Sequence, residues 1–144
     1  MTRVLTYGTF DVLHAGHIHL LQRARALGDH LTVGLSTDAF NQQKHKEALL
    51  PFEQRHTVLS AIRHVDAVIA EHHWEQKIRD IRDHAIDIFV MGDDWQGEFD
   101  CLRPHCDVVY LPRTPAISST SLRTHLTQGA DDVPPTAHPP APGA

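Results

Sequence analysis

Long apolar runs, cysteine and lysine are all scarce in this 144-residue chain. No stretch approaches the roughly 18 consecutive apolar residues of a membrane-spanning helix, so we expect no membrane insertion. Cys101 and Cys106 are the only cysteines, too few for a disulfide framework, and we expect both to be free thiols in a reducing compartment. The first eight residues have the pattern of a strand and lack the apolar core of a signal peptide, which predicts a cytoplasmic protein.

Positive charge is also in deficit, because 13 lysines and arginines stand against 18 aspartates and glutamates, and the formal net charge is −5. A general nucleic-acid-binding protein is usually basic, so we expect no nucleic-acid partner. Only three lysines occur, so an anionic ligand would have to be held by local groups rather than by overall charge. Histidine is abundant by contrast, with 13 copies, and a histidine therefore indicates a site only through its position.

Short apolar segments alternate with helix-forming segments along the chain. The pattern predicts strands at residues 4–7, 31–35, 67–70, 86–91 and 108–111. It predicts helices at residues 18–27, 51–63, 74–84 and 118–127, and a polar loop at residues 36–50.

This alternation is typical of an α/β fold, and the strands lack the polar–apolar alternation of a half-exposed sheet. We therefore expect a doubly wound, Rossmann-like domain with a parallel five-stranded sheet and helices on both faces. The domain is predicted to span residues 1–127. Residues 128–144 contain five prolines and form a Pro/Ala-rich tail that we expect to be disordered. Ligands of such folds bind beyond the carboxyl ends of the strands.

The segment after the first predicted strand carries the first candidate site. His14 and His17 lie on either side of Gly16, just before a predicted helix. A glycine allows close approach of a phosphate, a helix N-terminus supplies free N–H groups, and imidazoles can donate hydrogen bonds to phosphate oxygens. Two other interpretations stay open on these residues alone: ordinary helix-capping histidines, or a zinc site, for which two histidines are one or two ligands short.

Two motifs together make the sequence recognisable. The run His14-Ala-Gly-His17 has the form HxGH, and residues 113–120 resemble the second signature of the cytidylyltransferases, RTxGISTT. Further similar blocks lie at residues 36–41, 74–77, 90–95 and 110–114. The chain resembles the glycerol-3-phosphate cytidylyltransferase family over residues 2–127. It departs from the second signature at Ala116, where glycine is usual, and at Ser119, where threonine is usual.

The resemblance implies transfer of CMP from CTP to sn-glycerol 3-phosphate, giving CDP-glycerol and pyrophosphate by direct in-line attack. Such a reaction depends on positioning and charge stabilisation, and needs no nucleophilic side chain. The resemblance also implies Mg²⁺ as a companion of the triphosphate, with no protein ligand assigned, and a homodimer. A role in the synthesis of wall teichoic acid or a related polyol-phosphate polymer would follow.

The resemblance also assigns roles to individual residues. Those implied in catalysis are His14, His17, Lys44, Lys46 and Arg113. Those implied in nucleotide binding are Thr9, Phe10, His14, Ala15, Gly16, His17, Lys46, Arg63, Asp94, Arg113, Thr114, Ala116, Ile117, Ser118, Ser119 and Thr120. Those implied in acceptor binding are Lys44, Arg55 and Lys77.

Some of these residues have other interpretations. Arg55 and Arg63 lie eight residues apart on a predicted helix and share one face, where exposed salt bridges are the alternative to phosphate contact. Lys44 and Lys46 could be a solvated charge cluster, and Asp94 could cap its loop.

Three alternative functions differ in class. Sister enzymes of the same fold act on ethanolamine phosphate, choline phosphate or a sugar phosphate, or are FAD synthetase-like adenylyltransferases; the blocks at residues 74–77 and 92–95 favour the glycerol-3-phosphate branch. A non-catalytic nucleotide-binding module is disfavoured by the intact histidines, lysines and Arg113. A zinc protein is disfavoured because His72, His73 and His105 lack four-ligand spacing with the cysteines.

Overall fold

The computed structural model describes residues 1–112. Five parallel strands form one sheet in the order β3-β2-β1-β4-β5. Their bounds are β1 Arg3–Gly8, β2 His30–Ser36, β3 Ala67–Glu71, β4 Ile88–Gly92 and β5 Asp107–Leu111. The predicted α/β fold is confirmed, because the chain winds outward from β1 to β3 and then returns to the other side of β1 with β4 and β5.

Four α-helices connect these strands: α1 Ala15–Ala26, α2 Asp38–Gln43, α3 Phe52–Ser60 and α4 Lys77–Asp83. A 3-10 turn at Trp74–Gln76 leads directly into α4, and two more follow β4 at Asp93–Trp95 and Asp100–Leu102. None of the helices among residues 1–112 is long and apolar enough to cross a membrane.

Two apolar cores cover the two faces of the sheet. Leu21 and Ala24 of α1 and Leu59 of α3 pack on one face, against strand residues such as Val33. Ile81 of α4 packs on the other face, in a separate cluster of residues that includes Leu5, Phe89 and Phe99. Successive residues Val4 and Leu5 of β1 serve opposite cores, which explains why this strand is apolar at consecutive positions.

The structure corrects several predicted boundaries. Helix α1 begins at Ala15 rather than at residue 18, and β4 begins at Ile88 rather than at residue 86. The predicted loop at residues 36–50 contains α2, whose first turn is capped by the Thr37 side chain accepting from Phe40 N at 3.1 Å. Burial of the Phe40 ring also stabilises this short helix. Helix α3 ends at Ser60 rather than at residue 63, because tight turns at Ala61 and Ile62 lead the chain toward β3. The helix predicted at residues 74–84 begins as a 3-10 turn.

The carboxyl ends of the strands form the edge of the sheet where the candidate residues gather. The chain runs from β1 to β2 and β3 on one side and then continues with β4 on the other side of β1, so the strand order reverses between β1 and β4. This is the position where doubly wound folds open a crevice. At this edge the chain needs a glycine, because a Cβ on Gly8 would lie 2.7 Å from the Phe10 ring. Phe10 and Val12 adopt positive φ angles of 48° and 51°, so the loop after β1 is held in a costly conformation.

The predicted helix at 118–127 and the predicted domain boundary at residue 127 lie outside the described residues.

Candidate functional site

His14 and His17 cap the start of α1 reciprocally. Nδ1 of His14 accepts from the Gly16 N–H at 3.0 Å, and Nδ1 of His17 accepts from the His14 N–H at 3.2 Å. A neutral imidazole that accepts at Nδ1 carries its proton at Nε2. The helix cap therefore selects the tautomer of both rings and leaves Nε2–H as the donor of each.

Both histidines of this pair are held in the neutral form. Burial lowers the pKa of His14, and the pKa of His17 is lowered to about 4 by burial first and then by His14 and the charge of Lys46. The ring centroids lie 4.0 Å apart, so protonating both rings would place two like charges in contact. Nε2 of His14 is buried without a hydrogen-bond partner among residues 1–112. A buried donor of this kind fits an oxygen of a bound phosphate.

The loop after β1 is tied to the segment before α3 by Asp11. This buried carboxylate accepts from Leu49 N at 2.7 Å and from Leu50 N at 3.1 Å. Thr9 in the same loop is buried, and its hydroxyl donates to Asn41 Oδ1 at 3.1 Å. The predicted phosphate loop is thus fixed from both sides before any ligand arrives.

Arg55 connects three segments of the site. Its side chain is fully buried, and Nη1 donates to the carbonyl oxygens of Thr9 at 3.0 Å and Ser36 at 2.7 Å. Nε donates to Leu50 O at 2.9 Å and Nη2 to Asp38 Oδ1 at 2.7 Å. The guanidinium therefore has a structural role, and the predicted contact of Arg55 with the acceptor stays a prediction.

Arg63 and Arg55 do not share a helix face, because α3 ends at Ser60 and Arg63 lies exposed in the turn beyond it. The expected single face is wrong for that reason. The role of Arg63 in nucleotide binding stays a prediction.

Lys44 lies where α2 ends, with its ammonium 3.0 Å from Ser36 Oγ. The ammonium also sits over the rings of Phe40 and Trp74, at 4.6 and 5.7 Å from their centroids. Burial lowers the pKa of Lys44 to about 8, and Glu71 opposes this shift. Lys44 is therefore a cation that can lose its charge just above neutral pH.

Lys77 is the first residue of α4, and its buried ammonium donates to Glu71 Oε2 at 2.8 Å. The other oxygen of Glu71 accepts from the Ser36 hydroxyl at 3.1 Å, and Ser36 in turn accepts from Lys44. Ser36 and Glu71 are paired in register at the ends of β2 and β3. We call Lys44, Ser36, Glu71 and Lys77 the lysine–glutamate chain.

Glu71 and Ser36 were missed as functional residues by sequence reasoning. Glu71 is 2% exposed. A carboxylate this buried almost always has a charged partner, which here is Lys77. One signal in the sequence could have identified Glu71, because this acid directly follows the predicted apolar strand at residues 67–70. The histidine loop likewise follows a predicted strand, and ligands of such folds bind beyond the strand ends.

Side-chain hydrogen bonds of Tyr7, Gln76 and Asp80 fix the connection between β3 and α4. The Tyr7 hydroxyl donates to Asp80 Oδ2 at 2.6 Å, and burial raises the pKa of this tyrosine strongly. Gln76 donates to Asp80 at 2.8 Å and to Ala70 O at 3.0 Å, while its oxygen accepts from His72 N at 2.6 Å. These bonds fix the position from which Lys77 enters the lysine–glutamate chain.

The remaining predicted residues lie beside the histidine pair, at exposed positions, or outside the described part of the chain. Phe10 is buried with its ring 5.8 Å from that of His17, and Ala15 and Gly16 form the first turn of α1. Lys46 is exposed, yet its charge is close enough to lower the pKa of His17. Asp94 lies exposed in the 3-10 turn after β4. Seven predicted residues lie outside the described part of the chain: Arg113, Thr114, Ala116, Ile117, Ser118, Ser119 and Thr120.

The site therefore brings together neutral N–H donors from α1 and cations from α2 and α4 at one edge of the sheet. Such an arrangement suits a ligand with several phosphate groups. Among residues 1–112 there is no group of three or more histidine, cysteine, aspartate or glutamate side chains that could hold a metal ion.

Known proteins resemble this chain over most of its length. The family model described as cytidylyltransferase-like matches residues 5–125. The chain is 58% identical over 126 residues to the glycerol-3-phosphate cytidylyltransferase of Bacillus subtilis, covering 88% of this chain and 98% of that protein. It is 55% identical to the enzyme of the same name from Staphylococcus aureus, with 88% and 96% covered.

Among solved structures, a lipopolysaccharide core biosynthesis protein from Thermoplasma volcanium matches with a TM-score of 0.67 and 27% identity. The match covers 78% of this chain and 98% of that protein.

Proposed function

Because the chain belongs to the cytidylyltransferase-like family, and within it to the glycerol-3-phosphate cytidylyltransferases, we propose that it transfers CMP from CTP to sn-glycerol 3-phosphate. The products are CDP-glycerol and pyrophosphate. The observation that carries this proposal is the 58% identity to the Bacillus subtilis enzyme across nearly the full length of that protein.

The proposed reaction is a single displacement at phosphorus. A phosphate oxygen of the acceptor attacks the α-phosphorus of CTP, and the bond from that phosphorus to the oxygen bridging to the β-phosphate breaks. Pyrophosphate leaves with the electron pair. Catalysis of this kind depends on holding both phosphates in line and on stabilising the charge that develops on the α-phosphoryl oxygens.

The neutral histidine pair suits the second of these tasks. Nε2–H of His14 and of His17 would donate to the α-phosphoryl oxygens, and the capping of Nδ1 by the α1 backbone keeps those donors oriented. An aimed neutral donor needs no counter-ion, and it gains strength as negative charge develops. Gly16 has no side chain to keep a phosphate away from this turn, and the positive end of the α1 dipole favours the same anion.

The lysines suit the positioning of the two substrates. We assign Lys44 and Lys77 to the acceptor phosphate, and Lys46 with Arg113 to the phosphates of CTP. The half-buried ammonium of Lys44 and the buried ammonium of Lys77 support the assignment, since a cation out of bulk water attracts a phosphate more strongly. Thr9, Phe10 and Asp94 are assigned to the nucleotide side.

Mg²⁺ enters this proposal as part of the substrate, because a divalent ion bound to a triphosphate keeps most of its waters and needs few protein ligands. Its chemistry is to neutralise the phosphate charges of CTP and of the leaving pyrophosphate. We further propose that the protein is a cytoplasmic homodimer that supplies CDP-glycerol to the synthesis of wall teichoic acid or a related polymer. Sedimentation of the purified protein tests the dimer.

Pyrophosphate release by the purified protein tests the proposed activity. The reaction contains MgCTP with and without sn-glycerol 3-phosphate, and parallel reactions contain CTP with ethanolamine phosphate and ATP with FMN. We expect release only when CTP and glycerol 3-phosphate are both present, and loss of release in His14→Ala and His17→Ala. Release with a different acceptor would move the protein to a sister branch, and absence of release with every pair would contradict the proposal.

A further inference from the structure

The lysine–glutamate chain contains a carboxylate that the proposed reaction does not use. Both oxygens of Glu71 are engaged: Oε2 accepts from Lys77 at 2.8 Å and Oε1 accepts from Ser36 at 3.1 Å. The Ser36 hydroxyl donates its only proton to Glu71, so its oxygen is available to accept from the Lys44 ammonium at 3.0 Å. One carboxylate thus orients two ammonium groups, the first directly and the second through a hydroxyl.

Without Glu71 this arrangement would contain only positive charge. Burial lowers the pKa of Lys44 most, the negative charge of Glu71 raises it, and the positive charges of Lys46, Lys77 and Arg55 lower it further. The two ammoniums also share one aromatic neighbour, because Trp74 lies 5.7 Å from Lys44 and 4.8 Å from Lys77. Aromatic faces attract cations but leave their lateral position open, whereas a carboxylate with both oxygens engaged defines it.

We propose that Glu71 is a positioning residue of the acceptor subsite, which holds Lys77 directly and Lys44 through Ser36 so that both ammoniums meet the acceptor phosphate. The inference rests on the proposed function, in which these two lysines bind that phosphate. Glu71 itself does not contact substrate, because a carboxylate beside a phosphate would repel it. Its effect is on the charge and the location of the lysines.

The first test is steady-state kinetics of Glu71→Gln, which keeps the shape and removes the charge. We expect KM for glycerol 3-phosphate to rise about tenfold or more, the loss that follows from one charge-assisted hydrogen bond, while KM for CTP changes less than about twofold. Glu75→Gln removes the same charge from an exposed residue four positions further along and serves as the matched control. Ser36→Ala interrupts only the branch to Lys44 and should give an intermediate rise.

The second test measures the lysines without turnover. Because the chain has only three lysines, carbon-13 labelling of the lysine ε-carbon gives three NMR signals, assigned by Lys→Arg substitution at each position. Titration of the wild type should give Lys44 a pKa of about 8, and Glu71→Gln should lower it. The rise of the acceptor KM with pH should then begin at a lower pH in this variant than in the wild type.

These outcomes separate the inference from the proposed function. If the wild type uses another phosphorylated acceptor, the same KM comparison is made with that acceptor, and the NMR titration is unaffected. An unchanged Lys44 titration together with an unchanged acceptor KM in Glu71→Gln would overturn the inference. A fall in kcat together with a rise of both KM values and altered folding by circular dichroism in Glu71→Gln would also overturn the inference, because Glu71 would then have a merely structural role. Glu71→Asp keeps the negative charge, and an acceptor KM and a Lys44 titration closer to those of the wild type in this variant would support the inference.

Discussion

The histidine pair on α1 and the lysine–glutamate chain lie at the same edge of the sheet and are built in opposite ways for the phosphate-binding roles that we propose for them. His14 and His17 are neutral, and the backbone of their own helix orients them. Lys44 and Lys77 depend on side chains from neighbouring strands, Ser36 and Glu71. The first region is built locally and offers aimed donors, whereas the second is assembled by tertiary contacts and offers charge.

The difference follows from desolvation. A buried cation needs a counter-ion, whereas a buried neutral donor needs only a hydrogen-bond acceptor. Donors that must follow a developing transition-state charge benefit from rigid aim, and groups that hold a second substrate benefit from strong attraction. In the proposed reaction the histidine pair has the first of these tasks and the lysine–glutamate chain has the second.

The largest effect is expected at Arg55, which joins Ser36 of the lysine–glutamate chain to the loop that precedes the histidine pair through Thr9. Arg55→Met leaves the carbonyl oxygens of Thr9, Ser36 and Leu50 without their donor, so the free energy of unfolding should fall by about 3–5 kcal/mol. Urea unfolding measures this. Arg82→Met, at an exposed arginine of α4, is the control and should stay within about 0.5 kcal/mol. An equal effect in both variants would show that the buried hydrogen bonds of Arg55 do not stabilise the fold.

The next effect concerns the donor role of His14 apart from its capping role. In His14→Asn the side-chain oxygen can still accept from Gly16 N, but the shorter amide places no N–H where Nε2–H of the imidazole lies. We expect kcat to fall about 10²- to 10³-fold with little change in stability, whereas His14→Ala should also lose about 1 kcal/mol of stability. His19→Asn, on the same helix, should leave kcat near the wild-type value. Full activity in His14→Asn would mean that only the cap matters.

The smallest effect concerns the neutral state of His17. Its folded pKa is about 4 against 6.5 in the unfolded chain, so the unfolded state binds more protons between these values and stability falls as pH drops below 6.5. The loss between pH 7 and pH 5 should be about 2 kcal/mol. His17→Gln preserves the cap and cannot titrate, so its unfolding free energy should change less over this interval. Parallel pH profiles for the two proteins would contradict a neutral His17.

Much of the fold and half of the site were predictable from the sequence. The five strands appear near their predicted positions because runs such as residues 31–35 are buried on both faces, which leaves a continuous apolar signal. The histidine pair was predictable because its contacts join residues within three positions of one another. Helix α2 was not, because its stability comes from burying Phe40 and from one cap at Thr37, and its polar residues mimic a loop.

What the sequence by itself determined is the parallel α/β architecture, the family and the histidine pair, since periodicity, two motifs and a helix cap are local properties of the chain. Only the tertiary structure decided the roles of Glu71, Ser36 and Arg55. Ser36 and Glu71 are 35 residues apart in sequence, and Arg55 reaches Thr9 across 46 residues. Burial and charge pairing act between residues that only the folded sheet brings together, and no local pattern encodes which distant partner will satisfy a buried charge.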